Sequence, residues 1–176
     1  MRVGDVVNIE NNLRKPINSE ERSKMQGPFH YWGPTGQLDS ISEYRLDGKY
    51  ALIGEDGDHF LKYSIWSMTH LINGKFNVNN HAHVITGTEY CSTEWFFHYF
   101  RHRDIYQWLT KQGSGRLKLK KADLEQMKIL VPPRSEQENL VENLQQVANA
   151  TEALEAHVEE SGRLIRTLIE STLKAN

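Results

Sequence analysis

The sequence predicts an α/β (mixed α+β) globular domain over residues 1–134, followed by one long coiled-coil-type α-helix over residues 135–176. Short apolar or alternating runs separated by glycine turns fill the first part. The Pro132-Pro133 pair closes it, since proline cannot continue a helix backwards through itself. The second part carries an apolar repeat whose spacings alternate between four and three without a break.

The elements of the first part follow in order. Val3, Val6, Val7 and Ile9 predict an opening strand, and the run Tyr50-Ala51-Leu52-Ile53, closed by Gly54, predicts another. From Lys75 to Ile85 the residues alternate as in a strand, Asn80 excepted. Phe76, Val78, Ala82 and Val84 then share one face, and Asn77, Asn79, His81 and His83 the other. A helix is expected from about Ser92 to Gln112: Ser92 or Thr93 caps it, Trp95, Phe96, Tyr99 and Phe100 form a core-facing side, and Gly113 stops it.

In the second part Leu140, Leu144, Val147, Thr151, Leu154, Val158, Ser161, Ile165, Leu168 and Thr172 keep the 3-4 spacing. The resulting period of about 3.5 is that of a left-handed coiled coil. Ser135 and Glu138 form a capping box, so the helix is expected to start at about residue 136. At about 1.5 Å per residue it reaches roughly 55 Å, more than the first part can cover. Two readings stay open: a hairpin folded back around Gly162, or a stalk that pairs with a second chain. The polar seam positions Thr151, Ser161 and Thr172 favour a specific register over maximal stability. Glu152, Glu155, Glu159 and Glu160 precede Arg163, Arg166 and Lys174, so an antiparallel pair would set basic against acidic stretches. A homodimer and a helix of another subunit both satisfy the seam.

Composition narrows the class. At 176 residues and 38% hydrophobic content, the chain is one ordinary domain with an appendage, neither disordered nor collagen-like. No apolar run approaches the ~20 residues of a membrane helix, and the opening MRVGDVVNIENN is charged where a signal peptide is apolar, so a cytoplasmic protein with no membrane partner is expected. The single Cys91 excludes an intramolecular disulfide and a multi-cysteine zinc site, and is expected to be a buried small hydrophobe. Charge is uneven. Residues 1–134 hold 18 Lys and Arg against 15 Asp and Glu, a net +3, whereas residues 135–176 hold 3 against 8, a net −5. Residues 101–134 alone hold 9 basic against 3 acidic residues. Such a stretch attracts polyanions, although a solvated face explains most charge runs.

Catalytic signatures are missing. There is no phosphate loop, no dinucleotide fingerprint, no nucleophile elbow and no H-E-x-x-H. His81 and His83 have a spacing that holds a metal in a strand, but two ligands are not a site. Glu55, Asp56 and Asp58 could ligate magnesium as in a nuclease, yet acids flanked by glycine more often make turns. No catalytic residue, metal or cofactor is therefore expected.

His30-Tyr31-Trp32-Gly33-Pro34-Thr35-Gly36 and Leu52-Ile53-Gly54-Glu55-Asp56-Gly57 resemble the P-Y-Y-G-A-T-G and L-I-G-E-D-G motifs of one known family, the specificity subunits of type I restriction-modification enzymes. The stretch from Gly74 to Val84 is similar to its G-K-x-x-V-N-N-H-A-H-V, and Leu130 to Gln137 to its I-P-L-P-P-L-S-E-Q. Departures are small: His30 and Pro34 stand for a proline and an alanine, and Arg134 for a leucine. The larger departure is length. A full family member has two target recognition domains and two long helices, and this chain resembles half of one.

The resemblance implies a non-catalytic subunit whose domain, residues 1–134, reads one half of a bipartite double-stranded DNA site. It further implies that helix 135–176 spaces and dimerises, docking the adenine methyltransferase (modification) subunit and through it the restriction subunit. Two identical copies, forming a homodimer, would supply by symmetry what a full subunit has in one chain, and half-sites would be palindromic. Seam residues Leu140, Leu144, Val147, Leu154, Val158, Ile165 and Leu168 are then the dimerisation set. DNA needs cations for phosphates and polar groups for bases. Arg116, Lys118 and Lys120, beyond the flexible Gly113-Ser114-Gly115, lie on one side of an extended segment and suit phosphates, with a solvated strand edge as the alternative. Tyr31, Thr35, Gln37 and His59 are base-reading candidates on loops. Asn79, His81 and His83 can hydrogen-bond bases, yet a motif shared across a family suits a structural polar network or backbone contact better. An alternative function is a coiled-coil assembly or inhibitory partner of a full-length specificity subunit, with no DNA reading of its own.

Overall fold

A computed structural model describes residues 1–113 and 115–174, with side chains as far as Thr172. Ser114, the centre of the loop expected to be flexible, lies outside the described residues, as does the Lys174 side chain. In chain order the elements are β1 (Val7–Ile9), α1 (Ser19–Ser23), β2 (Gln26–Trp32), β3 (Gln37–Ile41), β4 (Leu46–Gly54), β5 (Thr69–Val78), β6 (Ala82–Gly87), α2 (Thr93–Phe100), β7 (Thr110–Gln112), β8 (Arg116–Lys118), α3 (Lys121–Gln126) and α4 (Arg134–Lys174). By internal contacts the chain divides into the units Met1–Glu138 and Asn139–Asn176.

In the first unit six strands form one curled sheet in the order β1-β6-β4-β5-β2-β3, and β7 and β8 form a separate hairpin. Every pairing in the large sheet is antiparallel except that of β2 with β5. Leu46, Leu52, Ile72, Phe76, Val78, Ala82 and Val84 make a buried cluster on the sheet, because alternate residues of paired strands point to one side. The mixed α and β architecture with a long final helix is the one expected from sequence.

Several elements differ in extent. The opening strand shortens to Val7–Ile9, because Val3–Asp5 makes a single tight turn. The single strand expected from Lys75 to Ile85 is two strands joined by a reversal. Asn79 Oδ1 accepts the His81 backbone N–H at 2.8 Å, the local bond by which asparagine turns a chain. Both faces of the segment are consequently inside: Asn77, Asn79 and His83 are buried like their apolar neighbours.

The helix expected to reach Gln112 ends at Phe100. Ser92 caps it as anticipated, its Oγ accepting from Trp95 N–H at 2.9 Å. At the far end the Arg101 carbonyl accepts from Met68 N–H instead of continuing the helix. Gly113, with φ of +49°, belongs to the turn of the β7–β8 hairpin and stops no helix.

Helix α4 begins at Arg134, earlier than the capping box places it. Ser135 is already inside the helix, and the Pro133 carbonyl accepts from Glu136 and Gln137 N–H. Glu138 pairs instead with Arg134 at 3.1 Å. Gln137 is fully buried in the first unit. Its amide donates to the Tyr90 and Pro132 carbonyls, and its oxygen accepts from Ser92 N–H. The hairpin reading is corrected as well, since the helix runs through Gly162 without a break. Cys91 is buried, which pushes its thiol up to about 11 and leaves it an inert apolar filler.

Candidate nucleic-acid interface

Four segments of the first unit are stitched together by backbone bonds. The Asn79 N–H donates to the Trp32 carbonyl, Glu55 N–H to the His81 carbonyl, Leu119 N–H to the Glu55 carbonyl, and Gly57 N–H to the Leu117 carbonyl. The end of β2, the turn after β4, the β5–β6 reversal and the segment after β8 thus form one loop cluster on a rigid sheet. Such placement suits recognition, because loops vary while the scaffold holds them.

At its centre lies the acidic turn Gly54-Glu55-Asp56-Gly57. A Cβ at Gly54 would fall 2.4 Å from Nε2 of His59, and Gly57 has a φ of +136°, so both positions require glycine. Glu55 receives Arg14 at 2.5 Å and Lys118 at 2.9 Å. Burial alone would raise its carboxyl; the hydrogen bonds from Lys118 and Arg14 prevail and hold it below the ordinary carboxylate value. His83 is buried beside them, which lowers its basicity. Its Nε2 donates to the Leu119 carbonyl at 2.9 Å, so Nδ1 accepts from Asn11 Nδ2 and the ring is neutral. The next acid, Asp56, is also buried, with Arg116 on one oxygen and His81 Nδ1 at 2.8 Å from the other.

These contacts re-sort the candidates. Tyr31 is withdrawn as a base reader: it is fully buried, and its hydroxyl accepts from Ile17 N–H and donates to the Lys15 carbonyl. His59 is withdrawn too. It is buried against Phe60 with ring centroids 4.1 Å apart, fills the space beside Gly54 and Gly57, and has its basicity pushed down to about 4 by burial. Asn79 is largely buried in the reversal it forms, with its Oδ1 taken by the His81 N–H. Thr35 and Gln37 are exposed after β2, with Gln37 Nε2 braced on Ser40 Oγ at 3.1 Å. Lys118 shares the exposed side of its segment with Arg116 and Lys120, since Leu117 and Leu119 alternate inward. Yet Lys118 is tied to Glu55, whereas Lys120 is exposed with no ion pair among the described residues.

Arg14 and the structural use of Glu55 and Asp56 were not legible as one site. Arg14 is 41 positions from Glu55, and no local spacing signals their pairing. Metal ligation by the acidic turn is displaced by these cationic partners, and among the described residues no group of three or more His, Cys, Asp or Glu is placed to hold a metal.

In the second unit Leu144, Val147, Leu154, Val158, Ile165 and Leu168 are between 44% and 70% exposed and form an apolar stripe along the helix. Leu140, the first seam residue, is exposed as well. Thr151 and Thr172 donate to the carbonyls of Val147 and Leu168 on their own helix. No helix among the described residues is long and apolar enough to cross a membrane.

Comparison with known proteins agrees with this architecture. In solved structures it is similar to the type I restriction-modification S subunit from M. genitalium, with TM-score 0.68 and 10% identity over 89% of this chain and 40% of that one. The HsdS subunit from Thermoanaerobacter tengcongensis gives 0.56 and 18% identity, over 88% and 38%. At these identities the likeness concerns the fold. A Haemophilus influenzae protein described as a type I restriction enzyme specificity subunit is 38% identical over 142 residues, which is 80% of this chain and 34% of that protein. The chain thus spans about a third of that relative's length. Residues 1–161 match the family described as type I restriction modification DNA specificity domain, and the chain belongs to that family.

Proposed function

We propose that this chain is a non-catalytic DNA specificity subunit that reads one half of a bipartite site. The loop cluster supplies the reading surface, with Arg116 and Lys120 toward phosphates and Thr35 and Gln37 toward base edges. The helix docks adenine methyltransferase subunits, and through them the restriction subunit. Its open seam takes the seam of a second copy, so two identical half-sites are read. The observation that carries this reading is the uncovered apolar stripe of α4 following a specificity domain: the stripe calls for a partner helix, and a second copy supplies one together with a second reading surface.

The test compares methylated adenines across the source genome with the gene intact and deleted. Loss of one bipartite palindromic motif is expected. An unchanged pattern favours the second reading, a coiled-coil assembly or inhibitory partner of a full-length specificity subunit, which the same open stripe would serve. Binding to bare DNA separates the two, because only the first requires affinity that falls steeply with salt.

A further inference from the structure

Asp56 stands between two open clefts. One, of about 350 Å³, is lined by Gly57, Asp58, Gly115 and Arg116. The other, of about 440 Å³, has Asn79, Asn80 and His81 in its wall. Arg116 donates from Nη2 to Asp56 Oδ1, and His81 Nδ1 lies 2.8 Å from Oδ2. The acid is 6% exposed, while the Arg116 and His81 side chains are 57% and 39% exposed. A single buried carboxylate therefore holds one exposed group in each cleft.

The backbone that carries the carboxylate is anchored on both sides. Asp56 forms a backbone bridge with Lys118, and the next residue, Gly57, donates to the Leu117 carbonyl. An ionised carboxylate only accepts, so His81 Nδ1 carries the proton it gives. Arg116 is a long side chain near the turn of a small hairpin, and in isolation it would lose much rotamer freedom on meeting a ligand. Pinned by Nη2, it keeps Nε and Nη1 in a fixed plane for a second partner.

We propose that Asp56 is a positioning residue for DNA: it pre-orients Arg116, with His81 braced on its other oxygen, so that the guanidinium meets a backbone phosphate already ordered. The inference rests on the DNA-binding reading above. It also makes an expectation opposite to that of simple charge. An acid beside a polyanion repels it, so removing that charge alone would tighten binding. Removing a positioning group weakens binding instead, since the ordering of Arg116 must then come from the association itself.

The experiment measures affinity of the full chain for a random-sequence DNA duplex over a range of salt concentrations, with Asp56→Asn, Arg116→Ala and the double variant. Asp56→Asn is expected to weaken binding about tenfold, Arg116→Ala by a similar factor, and the double variant no further than Arg116→Ala. Asp56→Asn binding that is unchanged or tighter overturns the proposal, and so do additive losses. Thermal melting of each variant shows that it is folded. Should Asp56→Asn fail to fold, Arg116→Lys replaces it: the charge stays and the fork is lost, so weakened binding supports positioning and unchanged affinity overturns it. If the unsubstituted chain shows no salt-dependent binding, the DNA reading itself falls. If it binds and Asp56→Asn binds equally, only the role of Asp56 falls.

Discussion

The two units distribute polarity in opposite senses. The unit Met1–Glu138 takes charges inside: Glu55 is half-buried against Arg14 and Lys118, and the buried Asp56 is matched by the more exposed Arg116. The unit Asn139–Asn176 leaves leucine, valine and isoleucine outside, with Val158 at 70% exposure. A buried ion network stabilises little compared with an apolar core of equal volume, but it fixes geometry and is costly to break on one side. An exposed apolar seam does the reverse, giving little to an isolated helix and much to an assembled one. One unit thus fixes the geometry of its side chains, and the other leaves an apolar face exposed.

Breaking the seam has the largest expected effect. Leu154→Asp with Val158→Asp should abolish self-association of the chain and lower its helical content, because most helical stability in proteins comes from packing of the apolar face. Mass measured against concentration, with far-ultraviolet circular dichroism, checks this; a chain that is monomeric before substitution would remove the second copy from the account.

Next comes the ion network. Glu55→Gln leaves Arg14 and Lys118 facing a neutral amide, and a loss of about 3 kcal/mol in urea unfolding is expected. The seam should be indifferent to this change, so unaltered self-association sharpens the contrast.

The third effect separates the units by pH. Burial first of all depresses His59, to about 4, and also lowers His70, His83 and His98. An imidazole with a depressed folded value takes up its proton more readily in the unfolded chain. Its stabilisation is complete above about pH 6.5 and drains away as pH falls through the folded value. The depressed Glu55 acts in the same direction at lower pH. Urea midpoints of the full chain should therefore decline from pH 6.5 toward about 4, and a flat profile would contradict neutral buried histidines.

The smallest effect belongs to Lys120→Ala. It should leave the melting temperature unchanged and reduce the slope of log affinity for duplex DNA against log salt by about 1. An unaltered slope takes Lys120 off the phosphate surface.

Sequence reading fared differently in the two units for a physical reason. The seam of α4 is written in local spacing, so the helix and its stripe were legible residue by residue, apart from a start two positions early at Arg134. The Ser92 cap and the aromatic side of α2 were equally local. The acidic turn was legible as a motif but not as a network, since its partners come from Arg14, His81, His83 and Arg116 on other elements. Alternation around Asn79 misled because a side-chain turn reverses the strand there while preserving the two-residue pattern. Tyr31 and His59 sit in loop-like motifs, and only tertiary packing shows both to be interior.

The cluster around Glu55 also bears on how the chain folds. It joins segments near Arg14, Glu55, His83 and Lys118, and is complete only when each has arrived. Contacts between such distant stretches come late, because closing the intervening loops costs entropy before any ion pair rewards it. The network is then expected to shut as a clasp on the sheet, and a φ-value near zero at Glu55 would be its mark. Loosening it would quicken opening of the finished molecule and leave the rate of its assembly nearly untouched.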